Sequence, residues 1–237
     1  QKSYTSASKK VYINNSLNRL GISMNNMLLQ ACLIAQPHTK EIYFVGGCVR
    51  DMLLGKSPHD YDIVVDGDLD LIANDLSDNG WKVNDVGKNF LVLIASKFDQ
   101  NSNTTFIVEI AMFRKDGTYT DGRRPDYVNV GTIYDDAERR DFTINALYYN
   151  PFTSQVLDPT GKGVQDINNK LIRFNGSPKQ RIEEDGLRVI RMYRFSALLG
   201  FEIDPIALKV ARRHFDEIYR NLPPERVRLE LEKLCGY

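Results

Sequence analysis

The sequence is short of cysteine, of net charge and of long apolar runs, and each shortage removes a class of protein. Its three cysteines, Cys32, Cys48 and Cys235, are far apart and match no zinc-ligand spacing. So odd and sparse a count excludes a disulfide scaffold and suits free thiols in a reducing compartment. Lys plus Arg and Asp plus Glu both total 31, giving a formal net charge of zero. A chain-wide basic field is therefore missing, and a nucleic-acid partner would have to be met by local clusters. No apolar run approaches the ~20 residues needed to span a bilayer, so no membrane partner is expected. No internal repeat or low-complexity segment is present either.

What is there is ordinary in bulk. At 237 residues, 42% hydrophobic and 26% charged, the chain suits one large domain or two modest ones with a substantial core. The segment to Asn26 is basic, Ser/Thr-rich and free of acidic residues. It has some features of an organelle transit peptide, although a vector remnant or a loose terminus is the plainer reading. The cytoplasm is the expected location, with an organelle matrix as the alternative.

Periodicity predicts a helix over 16–36, with Leu17, Leu20, Met24, Met27, Leu28 and Ala31 at helical spacing. Short strands are predicted around Ile42–Val45, in YDIVVDG, and at 81–86, 90–97, 105–113 and 147–157; LDLIANDLSDNG reads as a helix stopped by Gly80. From about 177 the grammar changes. SPKQRIEEDGLRVIRMYRFSALLG opens on Ser-Pro and stops at Gly200, reading as one helix, and PIALKVARRHFDEIYRNL and PPERVRLELEKLC repeat that order. The expected organisation is an extension and helix over 1–38, a mixed-sheet head over 39–176 and an all-helical neck over 177–237, an α+β fold.

The informative stretch is YFVGGCVRDMLLGKSPHDYDIVVDG. Residues two apart on a strand share a face, so Asp60 and Asp62 are expected to project together. Two adjacent carboxylates repel unless a cation lies between them. A hard ion such as Mg²⁺ accepts such oxygens and completes its shell with triphosphate oxygens, the arrangement used in two-metal phosphoryl transfer. Gly46-Gly47 lets backbone approach a phosphate, and Arg50 could add a charge-assisted contact. A lone Asp-x-Asp is also common on solvated strand edges, and a lone Gly pair is usually a turn; the combination is the more specific signal.

Three further segments fit. In ERRDFTINALYY, Arg139 and Arg140 suit a phosphate while Asp141 and Asn145 suit a ribose; a charged helix start capped by Asp141 is the bland alternative. In EEDGLRVIRMYRF, Asp185 and Arg188 stand three apart with Arg191 a turn beyond. They could present a hydrogen-bonding edge to a base, with Arg191 on its phosphates, or merely form intrahelical ion pairs. FRKDGTYTDGRRPDYV, 113–128, reads as a loop. Glu109, on the strand before it, is a candidate third carboxylate or a solvent-facing strand residue. Arg226 and Glu230 are taken as structural.

These residues resemble the class II tRNA nucleotidyltransferase (CCA-adding) and bacterial poly(A) polymerase family. Gly46 to Asp51 match its Gly-Gly-x-Val-Arg-Asp, followed by Leu53 to Gly55 and Asp60 to Asp62; 139–146 and 184–188 match two further motifs. The likeness covers roughly 42–234 and implies a polymerase-β-like head with metals on Asp60 and Asp62. It also implies a ribose 2′-hydroxyl contact at Asp141, and Asp185 with Arg188 standing in for a template. The implied reaction adds CMP and AMP from CTP and ATP to a tRNA 3′ end with Mg²⁺, the 113–128 loop switching between nucleotides. Poly(A) addition, partial CC- or A-addition, and an idle RNA- or nucleotide-binding module are the rivals. A small-molecule nucleotidyltransferase fits less well, having a Gly-Ser turn in most versions. Family members continue into helical body and tail domains that grip the tRNA, whereas this sequence ends at Tyr237.

Overall fold

The computed structural model describes residues 12–13, 26–58, 60–84, 87, 90–100, 103–117 and 127–235. The first half of the expected 16–36 helix and positions 118–126 of the expected loop lie outside them. Helix α1, Asn26–Ala35, buries Leu28, Ala31, Cys32 and Ala35, the i, i+3, i+4, i+7 stripe of a helix lying on a core. Strand β2, Thr39–Val45, leads into helix α2, Gly47–Leu53. Strand β3, Asp62–Gly67, is followed by helix α3, Leu69–Asp78. The Asp68 carboxylate caps α3 by accepting from the Asp70 and Leu71 N–H groups at 2.9 and 3.2 Å. Replacing it by Ala should cost about 1 kcal/mol.

Strands β4, Lys82–Asn84, β5, Val92–Asp99, and β6, Thr104–Met112, complete one side of the sheet. With β1, Tyr12–Ile13, β9, Tyr148–Tyr149, and β10, Val156–Leu157, they form eight strands in the order β1-β10-β9-β2-β3-β6-β5-β4. The pair β3–β6 is parallel and its neighbours antiparallel, so the sheet is mixed. The expected single strand at 147–157 is the hairpin β9–β10. Its turn is built by the Asn150 side chain, which accepts from the N–H groups of Phe152 and Thr153.

Alternation assigns the faces. Ile42, Phe44, Ile63, Val65, Val108 and Ile110 join the large core under α1 and α3. Tyr43, Val45 and Val64 face a smaller core with Ile133, Ala137 and Tyr148. That second core is closed by helix α4, Ile133–Arg139, whose start is fixed by a capping box: Thr132 Oγ1 accepts from Asp135 N–H, and Asp135 returns the bond to Thr132. Between β6 and α4, strands β7, Arg114–Asp116, and β8, Val128–Val130, form the antiparallel stem of the expected loop.

Behind the sheet come α5, Gly163–Asn168, and β11, Leu171–Ile172; helices α6, Pro178–Glu184, α7, Leu187–Leu199, α8, Pro205–Arg213, α9, Phe215–Asn221, and α10, Pro224–Cys235, follow. Two expectations change here. The rear is helical except for β12, Glu202–Ile203, which pairs in parallel with β11 after the chain turns at Gly200, φ 67°. The helix expected from 177 to 200 is two helices broken at Asp185-Gly186, because Asp185 is extended, φ −155°, and its carboxylate accepts from Leu187 N–H to start α7. No helix among the described residues is long and apolar enough to cross a membrane.

Candidate active site

Strand β3 begins at Asp62, one residue pair later than expected, so Asp60 lies in the approach to the strand and not on it. Asp62 shares its face with Val64, the face closed by α4, and stands opposite Val45 on one side and Glu109 on the other. The parallel register therefore brings Asp62 and Glu109 side by side, between neighbours Val108 and Ile110 that point the opposite way. The Asp62 carboxylate opens to solvent, yet protein atoms crowd its remaining sides. Burial, then the Asp60 charge, raises its pKa, against a lowering by Arg140. The Glu109 carboxyl is raised by burial and by Asp62, against Arg114, Arg140 and Arg139. Among the described residues, no set of three His, Cys, Asp or Glu groups is gathered to hold an ion.

Above this pair lies the glycine turn. Gly46 has φ 81° and ψ −135°, open to glycine alone, and a Cβ there would sit 3.6 Å from Arg140 Nη1 and 3.9 Å from Asp62 Oδ2. Arg140 Nη1 and Asp62 Oδ2 thus both face the Cα of this glycine. Gly47 starts α2, and a Cβ on it would meet Arg50 Nη2 at 3.5 Å. Arg50 thus lies with its guanidinium against the turn. Its Nε and Nη2 reach Asp51 Oδ1, its Nη1 donates to Asn145 Oδ1 at 2.9 Å, and its guanidinium stacks 5.0 Å from the Phe195 ring. These ties hold Arg50 beside the turn at which its phosphate contact is expected.

Arg139 ends α4 and Arg140 follows in extended conformation, so neither opens a helix; a 3₁₀ turn, Thr143–Asn145, comes next. Asp141 caps no helix. Its carboxylate accepts from Phe142 N–H, Asn145 Nδ2 and the Arg191 guanidinium. Burial would raise it, but Arg191 and Asn145 outweigh that and leave it lowered. Arg191 is bonded in turn to Glu230 of α10 at 3.4 Å, and Arg194 reaches the same carboxylate at 2.8 Å. Asp185 takes two bonds from Arg226, at 3.2 and 2.8 Å. Arg188 bonds Glu184, the Arg181 carbonyl and, at 3.4 Å, the Arg139 carbonyl.

The site thus gathers Gly46, Asp62, Glu109 and Arg140 at the sheet end. A bonded chain runs from Arg50 through Asn145, Asp141 and Arg191 to Glu230. Sequence reading missed Asp136, whose carboxylate holds both Arg139 and Arg140; it sits three and four residues before them, a spacing that was readable. It also left Arg226 and Glu230 without partners.

A mixed sheet with carboxylates on two adjacent strands, beneath a Gly-Gly turn and an arginine pair, defines a nucleotidyltransferase-type head. The model of the poly A polymerase head domain matches residues 42–173, more than half of the chain, and the chain belongs to that family. Among curated proteins, it is 36% identical over 203 residues to a CCA-adding enzyme of Staphylococcus saprophyticus, covering 85% of this chain and 47% of the relative. The crystal structure of Bacillus stearothermophilus CCA-adding enzyme in complex with CTP superposes with a TM-score of 0.73 at 28% identity, over 88% of this chain and 47% of that one. Thermotoga maritima CCA-adding enzyme complexed with tRNA_CCA gives 0.72 at 25% identity, over 95% and 51%. The chain spans about half the length of the curated relatives it matches.

Proposed function

We propose that this chain carries out template-independent nucleotide transfer to the 3′ end of tRNA, adding CMP and AMP from CTP and ATP and releasing pyrophosphate. The observation that carries the reading is the β3–β6 register, which sets Asp62 beside Glu109 under Gly46 and Arg140. The CCA-adding names of its relatives favour this over poly(A) addition.

The donor set fits a divalent ion: hard carboxylate oxygens, neither His nor Cys, in a place where burial and mutual charge already disfavour two anions. Asp60 and Asp62 would hold the metal, Mg²⁺ in our reading, with Glu109 beside them. When bound, such an ion lowers the barrier by stabilising charge on the attacking and leaving oxygens. The chain's own residues do the rest. Gly46 and Gly47 leave room for the triphosphate, and Arg140, with Arg139 beside it, offsets its charge. Asp141 and Asn145 are assigned to the ribose, a contact that would favour ribonucleotides. Asp185 and Arg188 face the base, exchanging their present bonds to Arg226 and Glu184 for bonds to C or A, and Arg191 holds Asp141 in place. Arg50 acts through Asn145. Residues 39–176 serve as the head and 177–237 as the neck.

The test incubates the protein with tRNA ending at the discriminator base, Mg²⁺, and CTP and ATP separately and together, followed by sequencing of the 3′ ends. Addition of C-C-A is the expected result. Long A tails would move the reading to a poly(A) polymerase, and nucleotide binding without transfer to RNA would leave a binding module.

A further inference from the structure

One carboxylate on the closed face is fully buried and makes five hydrogen bonds. Asp136 Oδ1 accepts from Arg139 Nε and Nη2 at 2.9 and 2.6 Å. Its Oδ2 accepts from Arg140 Nε and Nη2 at 3.1 and 2.9 Å and from Tyr148 Oη at 2.7 Å. That leaves Arg140 Nη1 as the nitrogen aimed toward Gly46, 3.6 Å from where a Cβ would stand. The arrangement has local causes. Asp136 lies on α4 three residues before Arg139 and four before Arg140, and the helix ends between them, so both guanidiniums fold back onto one carboxylate. Tyr148, from β9, closes the third side and lies beneath the Arg140 guanidinium, 5.7 Å from carbon to ring centroid.

We propose that Asp136 is a positioning residue for the nucleotide's phosphates: it holds one edge of Arg140 so that Nη1 faces the Gly46 turn beside Asp62, and it holds Arg139 alongside. The inference rests on the nucleotidyl-transfer reading above. Two adjacent arginines repel, and a rotating guanidinium would spread its charge over many orientations. One carboxylate shared by two guanidiniums removes that freedom and still leaves the group one positive charge in excess. Such an excess, fixed beside carboxylates that would hold a dication, suits a polyanion and not a neutral nucleoside. Burial by itself would raise the Asp136 carboxyl, but Arg140, Arg139 and Tyr148 outweigh it and hold it at about 2, so the group stays ionised at any working pH.

The experiment compares Asp136→Asn, Tyr148→Phe, Arg140→Ala and the Asp136→Asn/Arg140→Ala double variant. Each is measured by steady-state kinetics on RNA and by calorimetric binding of ATP and of adenosine. Asp136→Asn should raise the KM for nucleoside triphosphate about tenfold or more and leave the KM for RNA in place. ATP affinity should fall by a similar factor while adenosine affinity stays put. Tyr148→Phe, which keeps the charge, should give roughly a two- to threefold change in the same direction, and it decides the matter should Asp136→Asn fail to fold. In the Arg140→Ala background, Asp136→Asn should cost less than it does alone, the remainder acting through Arg139. Equal losses for ATP and adenosine, an unchanged triphosphate KM, or full additivity with Arg140→Ala would each overturn the proposal. A wild-type protein that transfers nothing to RNA would sink the functional reading instead, while the ATP-against-adenosine comparison still judges Asp136.

Discussion

Asp60, Asp62 and Glu109 at the open end of the sheet, and Asp136 on α4 with Asp141 just after it, are carboxylates treated in opposite ways. The second two are heavily bonded: Asp136 accepts five hydrogen bonds and Asp141 four, most of them from guanidiniums. Their pKa values fall despite burial. Asp62 and Glu109 are less enclosed, yet theirs rise, because among the described residues the crowding around them brings no bonded cation. Burial therefore does not decide the sign; the partners do. The fold invests its arginines in the frame and leaves the sheet-end carboxylates short of positive charge, the condition in which an added dication has most to gain.

The largest effect expected of this difference is on activity. Asp62→Ala should lower nucleotide transfer by roughly 10³-fold or more, since the metal's charge stabilisation is lost with its ligand. Asp62→Asn should be similarly inactive and yet somewhat more stable than wild type by urea unfolding in metal-free buffer, a small gain because the residue is exposed. The sign follows from proton linkage. Folding raises the Asp62 pKa, so it favours the protonated form; that contribution is present below the ordinary carboxylate range and lost as pH rises through the raised value. At neutral pH the anion costs stability, and the advantage of Asn should shrink as pH falls toward 4. An Asp62→Asn protein less stable than wild type at pH 7 without metal would break the contrast.

Asp136 should behave in the reverse manner. Asp136→Ala removes a wholly buried carboxylate from between two part-buried guanidiniums and should cost about 3–5 kcal/mol by urea unfolding at neutral pH. Because its folded pKa is depressed to about 2, its contribution is complete above the ordinary aspartate value of 3.8 and lost as pH falls through about 2. The gap between wild type and Asp136→Ala should accordingly be flat from pH 7 to 5 and narrow only in strong acid. A gap that closes near pH 5 would place Asp136 with the sheet-end carboxylates.

Most of the sheet end was legible because a strand's period of two is a local rule. Ile63, Val64 and Val65 assign the faces, and Asp62 follows from them. The bonded chain was not, since its links join residues far apart in sequence: Arg50 to Asn145 across 95 positions, Arg191 to Asp141 across 50, Arg226 to Asp185 across 41. No local pattern says which of several arginines meets which carboxylate. The break at Asp185-Gly186 was hidden for a similar reason. A Cβ at Gly186 would come 3.1 Å from Ile218 Cγ2, a contact set by α9 and not by the neighbouring residues. Asp136 is the exception, since its spacing to both arginines was in view but passed as one charge among several in a polar stretch.

Asp185 falls between the two kinds of carboxylate and gives the smallest effect. It has a bidentate partner in Arg226, but both side chains keep part of their surface in water, 16% and 19%. An ion pair so placed is screened and should be worth at most about 1 kcal/mol. Arg226→Ala should therefore lower stability by no more than that, well below Asp136→Ala, and the loss should shrink further in molar salt, where the Asp136 cluster is shielded from ions. If Asp185 exchanges Arg226 for a nucleobase when nucleotide binds, Arg226→Ala should also leave CTP affinity equal or slightly improved, because one competitor for the carboxylate is gone. A fall in affinity of tenfold would instead mean that Arg226 holds Asp185 in its working orientation. The Asp185–Arg226 pair would then belong with the fixed frame around Asp136 and Asp141, and the boundary between the two kinds of carboxylate would move to the sheet end alone.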